Sequence, residues 1–410
     1  MSNTQKNNVP ELRFPGFEDE WEEKRFADFT KINQGLQIAI NERKTEYSPE
    51  LYFYITNEFL RPNSQTKYFI ENPPQSVIAN KEDILMTRTG NTGKVVTNVF
   101  GAFHNNFFKI KFDKNLYDRL FLVEVLNSSK IQNKILSLAG SSTIPDLNHS
   151  DFYSISSSYP LLREQQKIGQ FFSKLDRQIE LQEQKLELLQ QQKKGYMQKI
   201  FSQELRFKDE NGEDYPEWEE KQLGELGVTY AGLSGKAKED FGFGKDVYVS
   251  YVNVFKNNIA TLEMVENVSI KPGEKQNNVK FGDILFTTSS EVPHEVGMSS
   301  VWLYEKDNVY LNSFCFGFRT TVSFINPIFL ARYLRSFEMR KLITILAQGS
   351  TRFNISKKEL MKLIVKIPRL DEQNRIINLF SILDGGIELQ SMKVRKLKKR
   401  KQGLLQKMFI

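Results

Sequence analysis

Cysteine and histidine are almost absent from this sequence of 410 residues, which contains one cysteine, Cys315, and three histidines. A single cysteine excludes an intramolecular disulfide and a cysteine-rich zinc site, and it fits a reducing compartment. The histidines are far apart in sequence and share no metal-ligand spacing. No stretch approaches the roughly 18 consecutive apolar residues that a membrane helix needs, and the N-terminal residues lack the apolar core of a signal peptide. These absences predict a cytoplasmic protein.

The sequence also lacks a convincing catalytic motif. The string NPPQ at 72–75 resembles the Asn-Pro-Pro-aromatic motif of amino-methyltransferases, but Gln75 stands where the aromatic residue belongs and no glycine-rich cofactor loop accompanies it. The string RTGNTGK at 88–94 resembles a phosphate-binding loop, but Arg88 replaces the first glycine and Val95 replaces the Ser or Thr that would bind Mg²⁺. We therefore expect a binding protein. A self-contained nuclease or methyltransferase is the less favoured alternative.

Charge of one sign is only slightly in excess. The 57 Lys and Arg residues against 50 Asp and Glu residues give a formal net charge of +7. A chain of this length is expected to form two to four domains. Spread over that size, the charge favours a polyanionic partner only mildly.

The most informative feature that is present is an internal repeat. Residues 160–202 align with residues 368–410 at an offset of 208 and without a gap, and 20 of the 43 aligned positions are identical. The chain is therefore a tandem duplication of one unit, and each unit consists of a globular segment followed by a helical segment. Weaker echoes precede both copies: EWEEK at 20–24 and 217–221, DIL at 83–85 and 283–285, and AGSST at 139–143 against AQGST at 347–351.

Each repeated segment begins at a proline, Pro160 or Pro368, and contains no other, which permits one long helix. Its apolar residues follow alternating spacings of four and three, the pattern of a coiled-coil seam. Two seam positions are polar in each copy, and polar seam residues fix helix register. The seam positions are Phe172, Leu175, Ile179, Gln182, Leu186, Leu189 and Lys193 in the first copy, and Phe380, Leu383, Ile387, Gln390, Val394, Leu397 and Lys401 in the second.

Each seam needs a partner, and the nearest candidate is the other copy in the same chain. We expect the two helices to form an antiparallel coiled coil, so that one chain imitates a homodimer with a pseudo-twofold axis. Two other uses of the helices stay open: ordinary homodimerisation and docking of other subunits.

The globular segments, called head 1 (1–159) and head 2 (203–367), contain short runs rich in Val, Ile, Phe, Tyr and Thr between turn residues. These runs predict strands, and the segments 116–139 and 326–347 predict helices at matching places. The predicted fold class is α+β: two α/β heads joined by a central helix in 160–202 and a distal helix in 368–410. The heads have diverged widely while the helical copies have not, which indicates one task performed on two different targets.

Polar and basic loops are the best candidates for a binding surface. One loop follows the DIL strand of each head, and a second loop precedes the last strand. Arg pairs well with guanine and Asn with adenine in the DNA major groove, whereas Lys mainly contacts phosphate. The alternative is that the glycines form tight turns with solvated neighbours. The candidate DNA-binding residues are Arg88, Thr89, Asn91, Thr92, Lys94, Ser142 and Thr143 in head 1, and Ser289, Ser290, His294, Ser350, Thr351, Arg352 and Asn354 in head 2.

These features together resemble the specificity (S) subunit of type I restriction-modification systems. The resemblance spans nearly the whole chain. It implies that each head is a target recognition domain reading one half of a bipartite DNA sequence, with an unread spacer set by the helices. It rests on the order head, helix, head, helix, on the DIL strands, on PELRFPGFEDEWEEK with its echo QELRFKDENGEDYPEWEEK, and on PLLREQQKIGQFF with its echo PRLDEQNRIINLF.

The same resemblance implies a set of partners. Double-stranded DNA would be the ligand, two modification (methyltransferase) subunits would dock on this chain, and motor-nuclease restriction subunits would join them. S-adenosylmethionine, ATP and Mg²⁺ would be bound by those partners, and this chain would be a non-catalytic subunit without a cofactor of its own. The alternative function is a coiled-coil scaffold or regulatory protein without direct DNA readout.

Changing the length of both helices by whole heptads is expected to change the spacer while leaving the half-sites unaltered. A helix over about residues 163–200 would be roughly 55 Å long, which sets an upper limit of about 16 base pairs for the separation of the half-sites. Methylome sequencing of such variants tests this expectation. Altered half-sites together with an unchanged spacer would contradict it.

Overall fold

A computed structural model describes residues 8–61, 64–140 and 143–409. The chain divides into unit 1, Met1–Gln184 with Ser391–Ile410, and unit 2, Lys185–Gln390. Each unit thus contains one head, half of the central helix and half of the distal helix. The division passes through both long helices because each half-helix packs against the head of its own unit.

Unit 1 is built on two four-stranded sheets. One has the strand order β2-β9-β6-β7 and is antiparallel, and the other has the order β4-β3-β8-β5 with β3 and β8 parallel; β1 pairs with β10. The strands are β1 Glu22–Arg25, β2 Thr30–Gln34, β3 Tyr52–Ile55, β4 Tyr68–Ile70, β5 Ile78–Ala79, β6 Ile84–Thr87, β7 Val95–Val96, β8 Gly101–Phe103, β9 Phe107–Phe112 and β10 Ser156–Tyr159. The helices are α1 Phe26–Phe29, α2 Arg119–Asn127, α3 Ser129–Leu138, α4 His149–Ser154 and the long α5 Leu162–Phe201.

Unit 2 repeats this plan with additional strands. Its sheet β12-β19-β15-β17 corresponds to β2-β9-β6-β7, and smaller sheets have the orders β14-β13-β18, β16-β21-β20 and β11-β22. The strands are β11 Glu219–Gln222, β12 Gly227–Ala231, β13 Phe241–Val249, β14 Val265–Val268, β15 Ile284–Thr287, β16 Ser289–Ser290, β17 Ser299–Val301, β18 Val309–Leu311, β19 Cys315–Thr320, β20 Ala347–Gln348, β21 Phe353–Ile355 and β22 Ile364–Ile367. The helices are α6 Tyr251–Lys256, α7 Pro327–Tyr333, α8 Phe337–Ile345, α9 Lys357–Met361 and the long α10 Leu370–Met408.

A pair of short helices follows the main sheet in each head. The carboxylate of Asp118 caps α2 and the amide of Asn326 caps α7, at positions 208 residues apart, and Ser128 and Ser336 cap α3 and α8 in the same way. A capping side chain stabilises a helix start because it accepts a hydrogen bond from a backbone N–H without an intrahelical partner. Each segment predicted as helical from the sequence is therefore divided into two capped helices.

The long helices pair in an antiparallel manner within each unit, as the sequence predicts. In unit 1, Phe172 on α5 and Phe409, just after α10, have ring centroids 6.0 Å apart, and Phe409 also lies 5.4 Å from Phe121 of α2. In unit 2 the equivalent rings are Phe380 and Phe201, 5.8 Å apart, and Phe201 contacts α7 of head 2. The start of one long helix thus packs against the end of the other. Within each unit, the head also packs against these helix ends, which the heptad pattern alone does not reveal.

The predicted seam positions occupy this interface. Every one of the fourteen side chains is buried or half-buried. The polar seam residues include Gln390, which is only 7% exposed, and two lysines whose partners are described below. The seam is therefore a mixed interface in which polar contacts stand at defined positions among apolar ones.

The echoed ELRF strings connect the start of each head to a long helix. Arg13 binds Glu164 of α5 through two hydrogen bonds of 2.7 Å, and Arg206 binds Glu372 of α10 at 2.9 and 3.2 Å. Both glutamates are 1% exposed. Bidentate arginine–carboxylate pairs are directional as well as strong. The arginine of each ELRF string thus has the same structural role in both units.

Two kinds of site are missing from the described part of the chain. No helix there has the length and apolar character needed to span a membrane. Within the same residues, no three His, Cys, Asp or Glu side chains are grouped so that they could hold a metal ion.

Candidate nucleic-acid interface

The loop after β6 in head 1 is organised by the last residue of that strand. Thr87 is fully buried, its hydroxyl accepts a hydrogen bond from the backbone N–H of Lys94 at 2.9 Å, and its carbonyl accepts one from Gly93 at 2.8 Å. Gly93 has a φ of +87°, and a side chain there would meet the Gln132 amide oxygen at 2.9 Å, so the position requires glycine. The loop is therefore a defined turn, on which Asn91 and Lys94 are exposed.

The structure brings the two candidate loops of head 1 together. Thr89 forms an antiparallel bridge with Asp146 of the second loop. The hydroxyl of Thr92 donates a hydrogen bond of 2.7 Å to the carbonyl of Pro145. Residues from the two loops thus form one surface, although the loops are separated in sequence by the α2–α3 pair.

Arg88 is engaged inside this contact. Its Nη2 atom lies 2.6 Å from the Asp146 carboxylate, its guanidinium lies 5.6 Å from the ring centroid of Phe108, and its side chain is 18% exposed. The Thr89 hydroxyl donates to the same carboxylate. Its Nε atom also donates a hydrogen bond of 3.3 Å to the carbonyl of Leu147, so the guanidinium is fixed between the two loops. We therefore assign Arg88 and Thr89 to holding the two loops together.

The remaining head 1 candidates divide by exposure. Thr92 is buried, whereas Asn91, Lys94 and Thr143 are exposed. Ser142 lies outside the described residues. An exposed apolar residue, Ile144, stands next to Thr143 and is 60% exposed. The exposed surface of the joined loops therefore combines polar, basic and apolar side chains.

Head 2 uses the same construction with other residues. Thr287 ends β15 and is fully buried, its hydroxyl accepts a hydrogen bond from the backbone N–H of Met298 at 3.0 Å, and its carbonyl accepts one from Gly297 at 3.1 Å. The loop then forms β16, which pairs with β21 so that Ser289 lies opposite Asn354. This pairing corresponds to the bridge between the two loops of head 1.

The head 2 candidates also divide by exposure. Ser289 and Ser290 are 3% and 9% exposed, and the Ser290 hydroxyl donates a hydrogen bond of 2.8 Å to Glu295. The Ser289 hydroxyl accepts one of 3.3 Å from Arg352 Nε. Both serines therefore support the loops. The exposed candidates are His294, Ser350, Thr351, Arg352 and Asn354.

A side chain from the helix pair holds each loop, and neither residue was among the sequence-based candidates. Gln132 on α3 donates a hydrogen bond of 2.9 Å to the carbonyl of Gly93. Arg340 on α8, at the position 208 residues later, donates to the carbonyls of His294, Val296 and Gly297 at 2.9, 2.5 and 2.8 Å. Burial lowers the pKa of Arg340 to about 10, which still leaves it charged at neutral pH. Extending the offset of 208 to the helix pairs would have drawn attention to both positions.

A polar cluster connects head 1 to the long helices. Lys401 of α10 lies 2.7 Å from Asp176 of α5 and 3.1 Å from Glu124 of α2. The side chain of Glu124 is 5% exposed, whereas that of Asp176 is 46% exposed. One lysine thus balances two carboxylates, of which one is buried.

The equivalent cluster of unit 2 has the opposite balance. Lys193 lies 2.5 Å from Asp384, and Asp384 also lies 2.9 Å from Arg332 of α7. Arg332 stands 208 residues after Glu124, so the heads present opposite charges at matching positions. Each pair of half-helices therefore offers a Lys–Asp pair, of which head 1 contacts the lysine and head 2 contacts the aspartate.

Glu124→Gln should weaken the pH dependence of the stability of unit 1. Burial raises the pKa of Glu124 from 4.5 to about 7, against the opposing effect of Lys401. Because this pKa is higher in the folded state, the folded state binds the proton more tightly, and the free energy of unfolding falls as pH rises from about 4.5 to about 7. In the wild type, the free energy of unfolding should fall by about 1–3 kcal/mol between pH 5 and 8 because of Glu124. Glutamine does not titrate, so this fall should be absent from the variant. Urea denaturation at a series of pH values measures it, and identical pH profiles for both proteins would refute it.

Comparisons with known proteins agree with this architecture. Residues 18–191 and 215–399 match a family model described as the type I restriction modification DNA specificity domain. The chain is 23% identical over 424 residues to the type I restriction enzyme MjaVIII specificity subunit of Methanocaldococcus jannaschii, over 96% of this chain and 92% of that protein.

Solved structures show the same fold. The crystal structure of a type I restriction-modification system S subunit from M. genitalium has a TM-score of 0.58 at 17% identity, over 98% of this chain and 99% of that chain. A structure from work on the assembly and conformational transition of the type I R-M system has a TM-score of 0.56 at 16% identity, over 97% and 98% of the two chains. The arrangement of strands and long helices described above is thus shared with such chains.

Proposed function

The chain belongs to the family of type I restriction-modification DNA specificity subunits, and from this premise we propose that its two heads read the two halves of a bipartite DNA sequence. Each head contributes one half-site, and the joined loops of that head carry the side chains that contact the DNA. The loops of head 1 lie in 87–94 and 143–148, and those of head 2 lie in 287–297 and 350–356.

One observation supports this proposal most strongly. Both heads shape the first loop with a buried threonine, a positive-φ glycine and a side chain from the helix pair, and both join it to the second loop by a backbone bridge. The exposed side chains of these loops differ between the heads. A common support with different exposed groups is what reading two unlike half-sites requires, because base edges are distinguished by side-chain donors, acceptors and apolar groups.

We further propose that this chain directs chemistry performed by other subunits in the cytoplasm. Two methyltransferase subunits and motor-nuclease subunits would bind it, and they would hold S-adenosylmethionine, ATP and Mg²⁺. Exposed apolar side chains on the long helices support docking of protein partners there, since isolated helices in water normally keep such faces polar. These side chains are Leu181, Leu188, Ile382 and Leu389, which are between 45% and 73% exposed.

Selection from a randomised DNA library tests the DNA-reading role. The purified full chain is mixed with duplexes carrying a random region, and the retained duplexes are sequenced. We expect two short, unlike motifs at a fixed separation, and an affinity that falls steeply with salt because phosphate contacts release counterions. A scaffold without DNA readout would retain no motif, which would refute the proposal.

A matched measurement separates this role from catalysis. The same chain, without partners, is incubated with S-adenosylmethionine and the selected duplex. We expect binding without methyl transfer. Methyl transfer by the isolated chain would contradict the assignment of catalysis to other subunits.

A further inference from the structure

Resting on the proposed function, we propose that Ile144 and Arg352 occupy one equivalent base-reading position in the two heads. Arg352 of head 2 reads a guanine through its guanidinium. Ile144 of head 1 makes an apolar contact with a thymine methyl group. At the base pair that this position contacts, one half-site therefore has a G·C pair and the other has an A·T pair.

The two residues are equivalent by their place in the joined loops. Ile144 stands two residues before Asp146, whose backbone bridges to Thr89. Arg352 stands two residues before Asn354, which pairs with Ser289. Ile144 and Arg352 are 208 positions apart in the sequence, and so are Asp146 and Asn354. Each therefore lies on the second loop, just before the point where that loop joins the first.

Arg352 is held in place while its terminal nitrogens stay accessible. Its guanidinium carbon lies 5.2 Å from the ring centroid of Phe314, and its Nε donates a hydrogen bond of 3.3 Å to the buried Ser289 hydroxyl. Among the described residues, its Nη atoms have no hydrogen-bond acceptor. A planar fork fixed in this way needs little ordering before it binds, which favours bidentate contact with guanine O6 and N7.

The contrast with Arg88 supports this assignment. Arg88 of head 1 is paired with the Asp146 carboxylate at 2.6 Å. In head 2 the residue at the place of Asp146 is Asn354, which carries no charge, and Thr288 stands at the place of Arg88. Head 2 therefore has no carboxylate at the place of Asp146. Glu291 and Glu295 line the same pocket as Arg352, and among the described residues neither forms an ion pair with it. Of the two arginines in the joined loops, Arg352 is the one presented to a ligand.

Ile144 presents a different chemistry at the same place. It is 60% exposed, and its neighbour Thr143 is also exposed. An exposed isoleucine on a polar loop offers apolar surface but no donor or acceptor in its side chain. In the major groove the thymine C5-methyl is the apolar group, and cytosine and guanine carry none. The side chain at position 144 therefore favours an A·T pair by contact with that methyl.

Library selection with full-length variants tests the proposal. Wild type, Arg352→Ala, Arg352→Lys and Ile144→Ala are each selected on the same randomised duplexes. Arg352→Ala should lose a guanine preference of about 5- to 150-fold at one position of one half-site. Arg352→Lys should lose it as well, because lysine keeps the charge without the fork. Ile144→Ala should relax a thymine at one position of the other half-site and leave the first half-site unchanged.

Three results would overturn the proposal. An unchanged motif in Arg352→Ala would remove Arg352 from base reading. Uniform weakening at all positions, restored by Arg352→Lys, would make Arg352 a phosphate contact. Changes in the same half-site for Arg352→Ala and Ile144→Ala would end the equivalence between heads. Failure of the proposed function itself is distinguishable, because wild type would then retain no motif at all.

Discussion

Lys401→Ala should destabilise unit 1 by about 2–4 kcal/mol, whereas the equivalent Lys193→Ala in unit 2 should cost at most about 1 kcal/mol. Lys401 is the cation for two carboxylates, and one of them, Glu124, has a side chain that is only 5% exposed. Removing the lysine leaves that buried carboxylate facing Asp176. Unpaired buried charge is expensive, and Glu124 limits the loss by taking up a proton.

Lys193→Ala leaves a different situation. Asp384 loses one cation but keeps Arg332 at 2.9 Å, so no carboxylate becomes unpaired. Lys193 and Lys401 are equivalent positions of the sequence repeat, as are Asp176 and Asp384. The clusters differ in the residue that the head contributes, which is Glu124 in unit 1 and Arg332 in unit 2. The unequal effects therefore follow from the opposite charges of Glu124 and Arg332.

Hydrogen exchange of each full-length variant follows α2 and α7 in the same chain. Lys401→Ala should increase exchange in α2 and leave α7 unchanged, and Lys193→Ala should leave both nearly unchanged. The double variant Lys401→Ala/Glu124→Gln serves as control and should recover part of the lost stability, because it removes the buried carboxylate. Equal losses from the two lysine variants would contradict this account of the clusters.

Arg340→Ala should destabilise head 2 by about 2–4 kcal/mol and loosen its first loop. The guanidinium donates to three carbonyls of residues 294–297 and so links that loop to α8. Removing a charged donor from partly buried carbonyls costs about 1–3 kcal/mol for each acceptor that solvent does not satisfy. The loop should then exchange its backbone amides faster, while the loops of head 1 stay protected.

Arg340→Gln provides the matched variant, because head 1 holds its loop with Gln132 at the equivalent position through one hydrogen bond of 2.9 Å. The glutamine variant should therefore retain part of the stability that alanine loses. Urea denaturation measures the loss, and hydrogen exchange in 287–297 locates it. Identical behaviour of the alanine and glutamine variants would show that the side chain at this position does not hold the loop through its hydrogen bonds.

The long helices and their antiparallel pairing could be predicted from the sequence because they depend on local periodicity. Heptad spacing and the flanking prolines are local features, and the ungapped repeat at an offset of 208 identifies the second helix as the partner of the first. The insertion of each head into the seam could not be predicted in this way. The contact of Phe409 with Phe121 joins residues nearly 300 positions apart. The local sequence pattern does not distinguish an aromatic side chain that packs against the other helix from one that packs against a head.

The candidate loops were located by the sequence, but the roles of their residues depend on tertiary partners. Arg88 is a candidate base reader by sequence, and the structure adds its contact with Asp146, which lies 58 residues away. Lys401 is a polar seam residue by its spacing, and the structure adds Glu124, 277 residues away, as its second partner. The repeat offset was the available signal, because 124 and 332 hold opposite charges at matching positions. Interpreting that signal requires knowing that both residues face the helices.

Mapping methylated bases in a host that carries this gene together with genes for its partner subunits tests the central claim most directly. Long-read sequencing identifies methylated positions even when the target sequence is unknown. We expect one methylated bipartite sequence, made of two unlike half-sites at a fixed separation, which disappears when this gene is deleted. A continuous motif, or methylation that persists after deletion, would contradict the claim that each head of this chain reads one half of the target.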